Sequence, residues 1–318
     1  MSQANANGIS AVKKADKIPS ILIKDLKRNK YVYLMILPVI AYYLIFHYWP
    51  MYGATIAFKD YSLGKGINGS EWVGFKYFLE FFNSHYFYRV LNNTIMINLY
   101  QLAFGFPIPI IFAILLNEVT NRKFKVTVQT ISYMPHFIST MVVAGLIIAF
   151  TARDGVINDI LGLFGVSPTN LLSKPELFQP IFIISEIWQK MGWESIIYLA
   201  ALTSIDQELY QAATIDGAGR FKKILHVTLP GILPTITILL ILQIGQMMNV
   251  GYEKIILLYS PNVYGTADVI SSFVYRKGLV EFNFSYSTAV GLFNSVINFI
   301  LLIIANWTSR FLSETSLW

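Results

Sequence analysis

Glu208-Leu-Tyr-Gln211-Ala212-Ala213-Thr-Ile-Asp216-Gly217-Ala218-Gly219-Arg220-Phe221, running on to Leu229-Pro230, is a polar island between two apolar runs. Gln207 to Ile215 reads as a short helix, and the small side chains of Ala212 and Ala213 let another backbone approach it closely. Asp216 is expected to cap the following helix, while Gly217 supplies a turn at low steric cost. That next helix, about Ala218 to Val227, places Phe221, Ile224 and Leu225 at i, i+3 and i+4 on one apolar face. Lys222, Lys223 and His226 lie off it, and Pro230 and Pro234 are expected to stop it and open the next apolar run. From these residues alone, a docking element and a connector lying on a membrane surface are equally good readings.

The rest of the chain explains why so polar a stretch stands out. Of 318 residues, 55% are hydrophobic and only 13% charged, against roughly 25% charged in soluble domains. That shortfall points to an all-α membrane protein that crosses the bilayer several times. Apolar stretches near 20 residues occur at Tyr31–Trp49, Thr94–Leu116, Ile131–Ala152, Pro180–Ala201, Thr235–Leu258 and Ala289–Trp307. Six transmembrane helices are therefore expected, with a kink at Pro107 and Pro109 in the second. The domain reading is an N-terminal extension at 1–30, a six-helix domain at 31–311 with the polar loop at 206–234, and a tail at 312–318.

Basic residues orient the bundle. With the N-terminus inside, fourteen Lys and Arg fall on inner segments and nine on outer loops, Lys254 and Arg276 among the nine. Inner loops are also the shorter ones, so both termini and the 206–234 loop are expected in the cytoplasm of a cell with a plasma membrane. Seven of the 24 basic residues precede the first apolar run, which makes the net charge of +6 a topology signal rather than a nucleic-acid signal. The chain has no cysteine, which excludes disulfides, thiol chemistry and Cys-ligated metal. The first outer loop is rich in aromatics, from Trp72 to Tyr88, and reads first as an interfacial belt and packing collar.

Gln211-Ala-Ala-x-x-Asp-Gly-Ala with Pro230 beyond it, preceded by Trp188, Gly192 and Leu199-Ala-Ala-Leu202, resembles the E-A-A loop of bacterial ABC importer permeases. The likeness extends to Asn93-Thr94 and to Asp154-Gly-Val-Ile-Asn158, and is nearest to the maltose-type carbohydrate branch, among permeases for oligosaccharides and polysaccharide fragments. The resemblance implies a type I permease fold in which the loop is a coupling helix seated on an ATP-hydrolysing subunit. Glu208, Gln211, Ala212, Ala213, Asp216, Gly217, Ala218, Arg220 and Phe221 are then the docking residues. Gln211 departs from the family's usual Glu at that position, so a charge contact there is not implied. The resemblance further implies two ATPase subunits holding ATP and magnesium, with no cofactor on this chain. A second homologous permease as heterodimer partner and an external sugar-binding protein complete the implied assembly. The sequence agrees in lacking a G-x-x-x-x-G-K-[S/T] phosphate loop, which fits a transport subunit and not an enzyme.

Polar side chains inside a membrane usually face a cavity or another helix. Glu186, Lys190 and Glu194 fall at i, i+4 and i+8 of the fourth span and form either a charge ladder or a structural ion network. Gln243, Gln246, Asn249 and Glu253 are expected along one face of the fifth, Asn294 and Asn298 on the sixth, and Asn98 and Gln101 on the second. Amides and carboxylates suit sugar hydroxyls, and aromatic rings suit pyranose faces. Trp193, Gln246, Asn249, Glu253 and Asn294 are thus the candidate pathway, while simple interhelical hydrogen bonding explains each one singly. An ion-gradient transporter would leave the 206–234 loop without a role. An intramembrane enzyme has no H-E-x-x-H and only four scattered histidines to support it. A permease for a non-sugar solute shares the loop and stays open at this point.

Overall fold

In lipid, backbone N–H and C=O groups must be satisfied within the chain, which leaves helices for a sequence of this kind. The computed structural model describes residue 25 and residues 27–312, and these are helical apart from one two-stranded ribbon, turns and loops. The expected N-terminal extension and C-terminal tail lie almost wholly outside the described residues. The chain divides into two units, residues 1–54 and 55–318. In the first, α1 (Lys30–Tyr43) continues through a π turn at Leu44–Tyr48.

The second unit begins with the antiparallel ribbon of β1 (Lys59–Asp60) and β2 (Glu71–Trp72), in which Lys59 pairs with Trp72. Then come α2 (Lys76–Asn83) and α3 (Tyr86–Tyr100), a π turn at Gln101–Gly105, and α4 (Pro107–Glu118). Next are α5 (Arg122–Tyr133), α6 (Thr140–Thr151), α7 (Val156–Gly162) and α8 (Pro175–Thr203). The polar loop forms α9 (Gln207–Ile215) and α10 (Arg220–Lys223), and a π turn at Ile224–Thr228 leads into α11 (Leu229–Gly245). Short helices, among them α12 (Tyr252–Leu258) and α13 (Ile270–Tyr275), precede the long α14 (Phe284–Leu312).

Among the described residues, five segments are long and apolar enough to cross a membrane: Lys30–Phe58, Tyr86–Glu118, Thr140–Gly162, Arg220–Gly245 and Phe284–Arg310. At 29 residues, α8 has the length as well, but its middle carries Glu186, Lys190 and Glu194. Two expected spans are corrected. The third does not start at Ile131: α5 ends at Tyr133, a 3-10 turn follows around Pro135, and Ser139 caps a new helix by accepting from Val142 N–H. The fifth does not run from Thr235 to Leu258. It is continuous from Arg220 through Pro230 and Pro234, because the π turn just before Pro230 widens the helix where the ring would collide with it. It then ends at Gly245.

Packing inverts the soluble pattern. On α14 the buried positions include Asn294, Asn298, Asn306 and Ser309, while Phe299, Ile303, Ile304 and Trp307 are exposed. Apolar side chains face outward and polar ones inward, as lipid demands. Three apolar clusters hold the second unit together. One joins Phe178, Phe182 and Ile183 of α8 to Val250, Ile255 and Leu258. Another joins Phe81 and Val90 to Met248, Phe273 and Tyr286. The third clamps the base of the polar loop through Ile110, Ala113, Tyr198, Leu202, Ile205 and Ile232. Gly192 is required where α8 meets the end of α5, since a β carbon would overlap the Ser132 carbonyl.

The first outer loop is the expected packing collar in part: Phe81 is buried among Phe87, Phe273, Tyr286 and Phe293, whereas Trp72, Phe75 and Tyr88 are exposed. Tyr77 donates to the Asp60 carboxylate at 2.7 Å, and burial together with that carboxylate pushes its phenol up to about 12.

Candidate functional site

The break after Gly245 organises one candidate site. Gln246–Met248 form tight turns, Asn249 to Gly251 are irregular, and helix resumes at Tyr252. Along this stretch Met248 is buried in one apolar cluster and Val250 in another, while Asn249 between them is exposed. Neighbouring side chains receive the freed backbone. Asn298 Oδ1 accepts from Met248 N–H at 2.8 Å, and Ser271 Oγ donates to the Val250 carbonyl at 2.7 Å. A run of amides follows: Asn294 Nδ2 donates to Asn249 Oδ1 at 2.9 Å, and Asn249 Nδ2 donates to Gln246 Oε1 at 3.1 Å. Asn294 keeps a buried Oδ1 without a partner.

A cavity of about 450 Å³ opens beside these amides, lined by Asn249, Asn294, Ser271, Ser287, Tyr252 and Tyr275 among others. The two tyrosine rings stack with centroids 5.6 Å apart. Amides, hydroxyls and aromatic faces in one cavity match the chemistry of a carbohydrate. Trp193 lies elsewhere. It stacks on His136 at 4.6 Å and borders a second cavity, also about 450 Å³, with Glu194, Gln243 and Gln246. Of the five candidate pathway residues, the structure links Gln246, Asn249 and Asn294 directly and joins Trp193 to Gln246 across the second cavity. Glu253 is exposed and lines neither cavity. The expected single helical face of Gln243, Gln246, Asn249 and Glu253 does not exist, because the helix stops at Gly245. On α3, Asn98 only donates to the Thr94 carbonyl one turn back.

The charged residues of α8 form a network wider than the expected ladder. Lys190 pairs with Glu186 at 2.5 Å, and Lys254 of α12 pairs with the same carboxylate at 2.9 Å. Lys254, expected as a loop charge, is only 4% exposed, because a carboxylate from another helix pairs with it. The signal was there, since Lys254 sits in Tyr-Glu-Lys-Ile-Ile-Leu-Leu, an apolar run where a lone lysine needs a partner. A second buried cluster, Asp268 held by Arg89 at 2.9 Å and Arg276 at 2.6 Å, also escaped sequence reading. Asn93 and Thr94 support it, donating to and accepting from the 265–270 backbone. Asn158 pins its own loop through the Ala152 and Thr169 carbonyls.

The polar segment is the other candidate site. Its first helix spans Gln207–Ile215 as expected, and Asp206, not foreseen, caps it by accepting from Glu208 N–H at 2.9 Å. Asp216 is a correction: it closes α9 at its C-terminal end, and Gly219 stands at the start of α10. Gly217 turns the chain at φ +73°, a conformation that glycine adopts without strain. Lys223 Nζ donates to Thr214 Oγ1 at 2.8 Å and Tyr210 meets Thr228 at 3.0 Å, holding the two helices as one body. Glu208, Gln211, Ala212, Asp216, Arg220 and Phe221 are exposed, with Ala213 and Ala218 half-buried. Ile215 is 86% and Phe221 77% exposed, so a segment with polar flanks presents bare apolar side chains. Behind it, a cavity of about 550 Å³ is bounded by Asn117, Glu118, Gln207, Tyr210, Arg220 and Lys223.

Residues 105–314 match the family described as "Binding-protein-dependent transport system inner membrane component". The chain belongs to this family. Protein LplB of Bacillus subtilis (strain 168) is 46% identical over 286 residues, 90% of each chain. The polygalacturonan/rhamnogalacturonan transport system permease protein YteP of the same organism is 43% identical over 318 residues, 99% of each. A chain in the crystal structure of bacterial alginate ABC transporter in complex with alginate pentasaccharide-bound periplasmic protein superposes with a TM-score of 0.86. It is 43% identical and covers 92% of this chain and 99% of its own. This inner membrane component is thus a multi-pass ABC transporter permease of the type I fold, a transport subunit and not itself an enzyme.

Proposed function

We propose that the chain is a permease subunit of an ATP-driven importer of oligosaccharides, supplying half of the translocation pathway. It crosses the membrane six times, α8 included, with both termini in the cytoplasm. A second, homologous permease completes the pathway, two ATPase subunits bind ATP and magnesium, and an external binding protein delivers the sugar. The broken helix carries this reading. Irregular backbone at membrane depth is tolerated where it lines a cavity, and here the cavity holds Asn249, Asn294 and the stacked Tyr252–Tyr275 pair. The permeases named above for galacturonan-type and alginate transport support the oligosaccharide class.

Energy enters through the polar segment. Ile215 and Phe221 are exposed where the flanking residues are polar, which suits a groove on a soluble ATPase. Closure of the two ATPases moves this segment and turns the pathway between inward and outward openings. Gln211 leaves that contact without a front-edge charge, so apolar fit around Ala212 to Phe221 dominates.

Purification tests the whole reading. The wild-type chain is expected to co-purify with an ATPase and a second permease, and to import oligosaccharide with ATP in proteoliposomes. Gly217→Pro is expected to insert normally but lose the ATPase, because φ +73° is closed to proline. A lone chain that transports on an ion gradient would sink the proposal.

A further inference from the structure

The pair of Lys254 and Glu186 ties the helix that follows the break to α8. Lys254 is 4% exposed, bonds Glu186 at 2.9 Å and Gln189 at 3.4 Å, and lies 5.6 Å from the centroid of the Phe182 ring. All three partners are on α8. Lys254 belongs to α12, which starts directly after the break that carries Asn249. From Glu186, α8 runs on without interruption to Thr203, about 26 Å at helical rise, and Asp206 then caps the first helix of the polar segment. A rigid rod therefore leads from the polar segment to Lys254, and Lys254 leads to the break.

Packing alone does not require this lysine. Val250, Ile255 and Leu258 already seat the region against Phe178, Phe182 and Ile183, and an apolar side chain at 254 would extend that contact without the cost of burying an ammonium. The surrounding charges also favour movement at one end. Glu186 has a second cation, Lys190, one turn away at 2.5 Å, so it stays neutralised if Lys254 withdraws. The polar ties of the break are divided accordingly: Asn294, Asn298 and Ser271 bind it to α14 and α13, and Lys254 binds it to α8.

We propose that Lys254 and Glu186 are a positioning pair that passes displacement of the polar segment, along α8, to the amides at the break. This rests on the oligosaccharide-importer reading above. Lys254 does not touch substrate; it sets where Asn249 stands relative to Asn294 as α8 moves.

The test uses the complete complex in proteoliposomes and reads oligosaccharide imported per ATP hydrolysed. Lys254→Met leaves Glu186 paired with Lys190, so assembly and basal ATP hydrolysis are expected within twofold of wild type while import per ATP falls at least tenfold. Lys254→Arg keeps an ion pair and is expected to restore at least half of the ratio. A merely structural lysine would lower import, hydrolysis and the yield of complex together, at constant ratio. That result, or a Met variant with wild-type coupling, overturns the proposal. A wild-type complex that hydrolyses ATP but takes up no oligosaccharide overturns the sugar reading, and this inference with it.

Discussion

Helix α3–α4 and helix α10–α11 each carry two prolines and run on through them, whereas α11 breaks at Gln246, where there is no proline at all. In both, a π turn precedes the ring, at Gln101–Gly105 before Pro107 and at Ile224–Thr228 before Pro230. The widened turn absorbs the missing donor, and the helix goes on. At the break the helix stops because other groups take its hydrogen bonds: Asn298 for Met248 N–H, Ser271 for the Val250 carbonyl. In a membrane, then, a helix ends where its neighbours offer replacement partners, and proline by itself is insufficient.

The sharpest way to break that comparison is to remove a replacement partner. Asn298→Leu strips the acceptor from Met248 N–H in a buried position. An unsatisfied buried donor costs about 1–3 kcal/mol, so thermal unfolding of the purified complex should shift down measurably and uptake should vanish. Gln101→Leu at the π turn is the control. Its Oε1 is buried without a partner, so the same change there should alter the melting temperature little or raise it. Equal damage at both sites would mean that π turn and break rest on amides alike.

Asn249 comes next. Asn249→Ala removes the middle of the amide run while leaving the backbone ties of the break intact. Uptake is expected to fall about tenfold, ~1.4 kcal/mol, at normal assembly. Glu253→Ala, four residues on but exposed and outside both cavities, should stay within twofold. If Glu253 matters more than Asn249, the cavity beside Tyr252 is not the pathway.

How much of this was legible in the chain follows from range. Local signals were read well: Gln207–Ile215 came out as the helix it is, because propensity and turn residues act over a few positions. Apolar runs gave the spans, but their ends drifted wherever a distant group intervened. Gly245, Asn249 and Gly251 are only weak local stop signals; the groups that replace the helix's bonds, Asn298 and Ser271, are brought in by other helices. The burial of Lys254 was not legible for the same reason, its partner Glu186 being on another helix. Asn249 and Asn294 were singled out by residue type. The geometry that joins them at 2.9 Å was beyond any periodicity, since the helical face invoked for Asn249 does not form.

The smallest effect belongs to the prolines themselves. Pro230→Ala returns a backbone donor to a helix interior, a position where proline ordinarily costs about 3 kcal/mol against alanine. In a helix whose π turn already diverts the bonding upstream, most of that cost has been relieved. The expected gain in unfolding free energy is under about 1 kcal/mol, with uptake within twofold, read by thermal unfolding and transport assays on one preparation. The π turn should survive, because Ile224–Thr228 is held by its surroundings: Thr228 is buried and meets Tyr210 at 3.0 Å. Should Pro230→Ala instead abolish uptake, the ring and not the wide turn sets the path of this helix, and the distinction between running on and breaking would need to be drawn elsewhere.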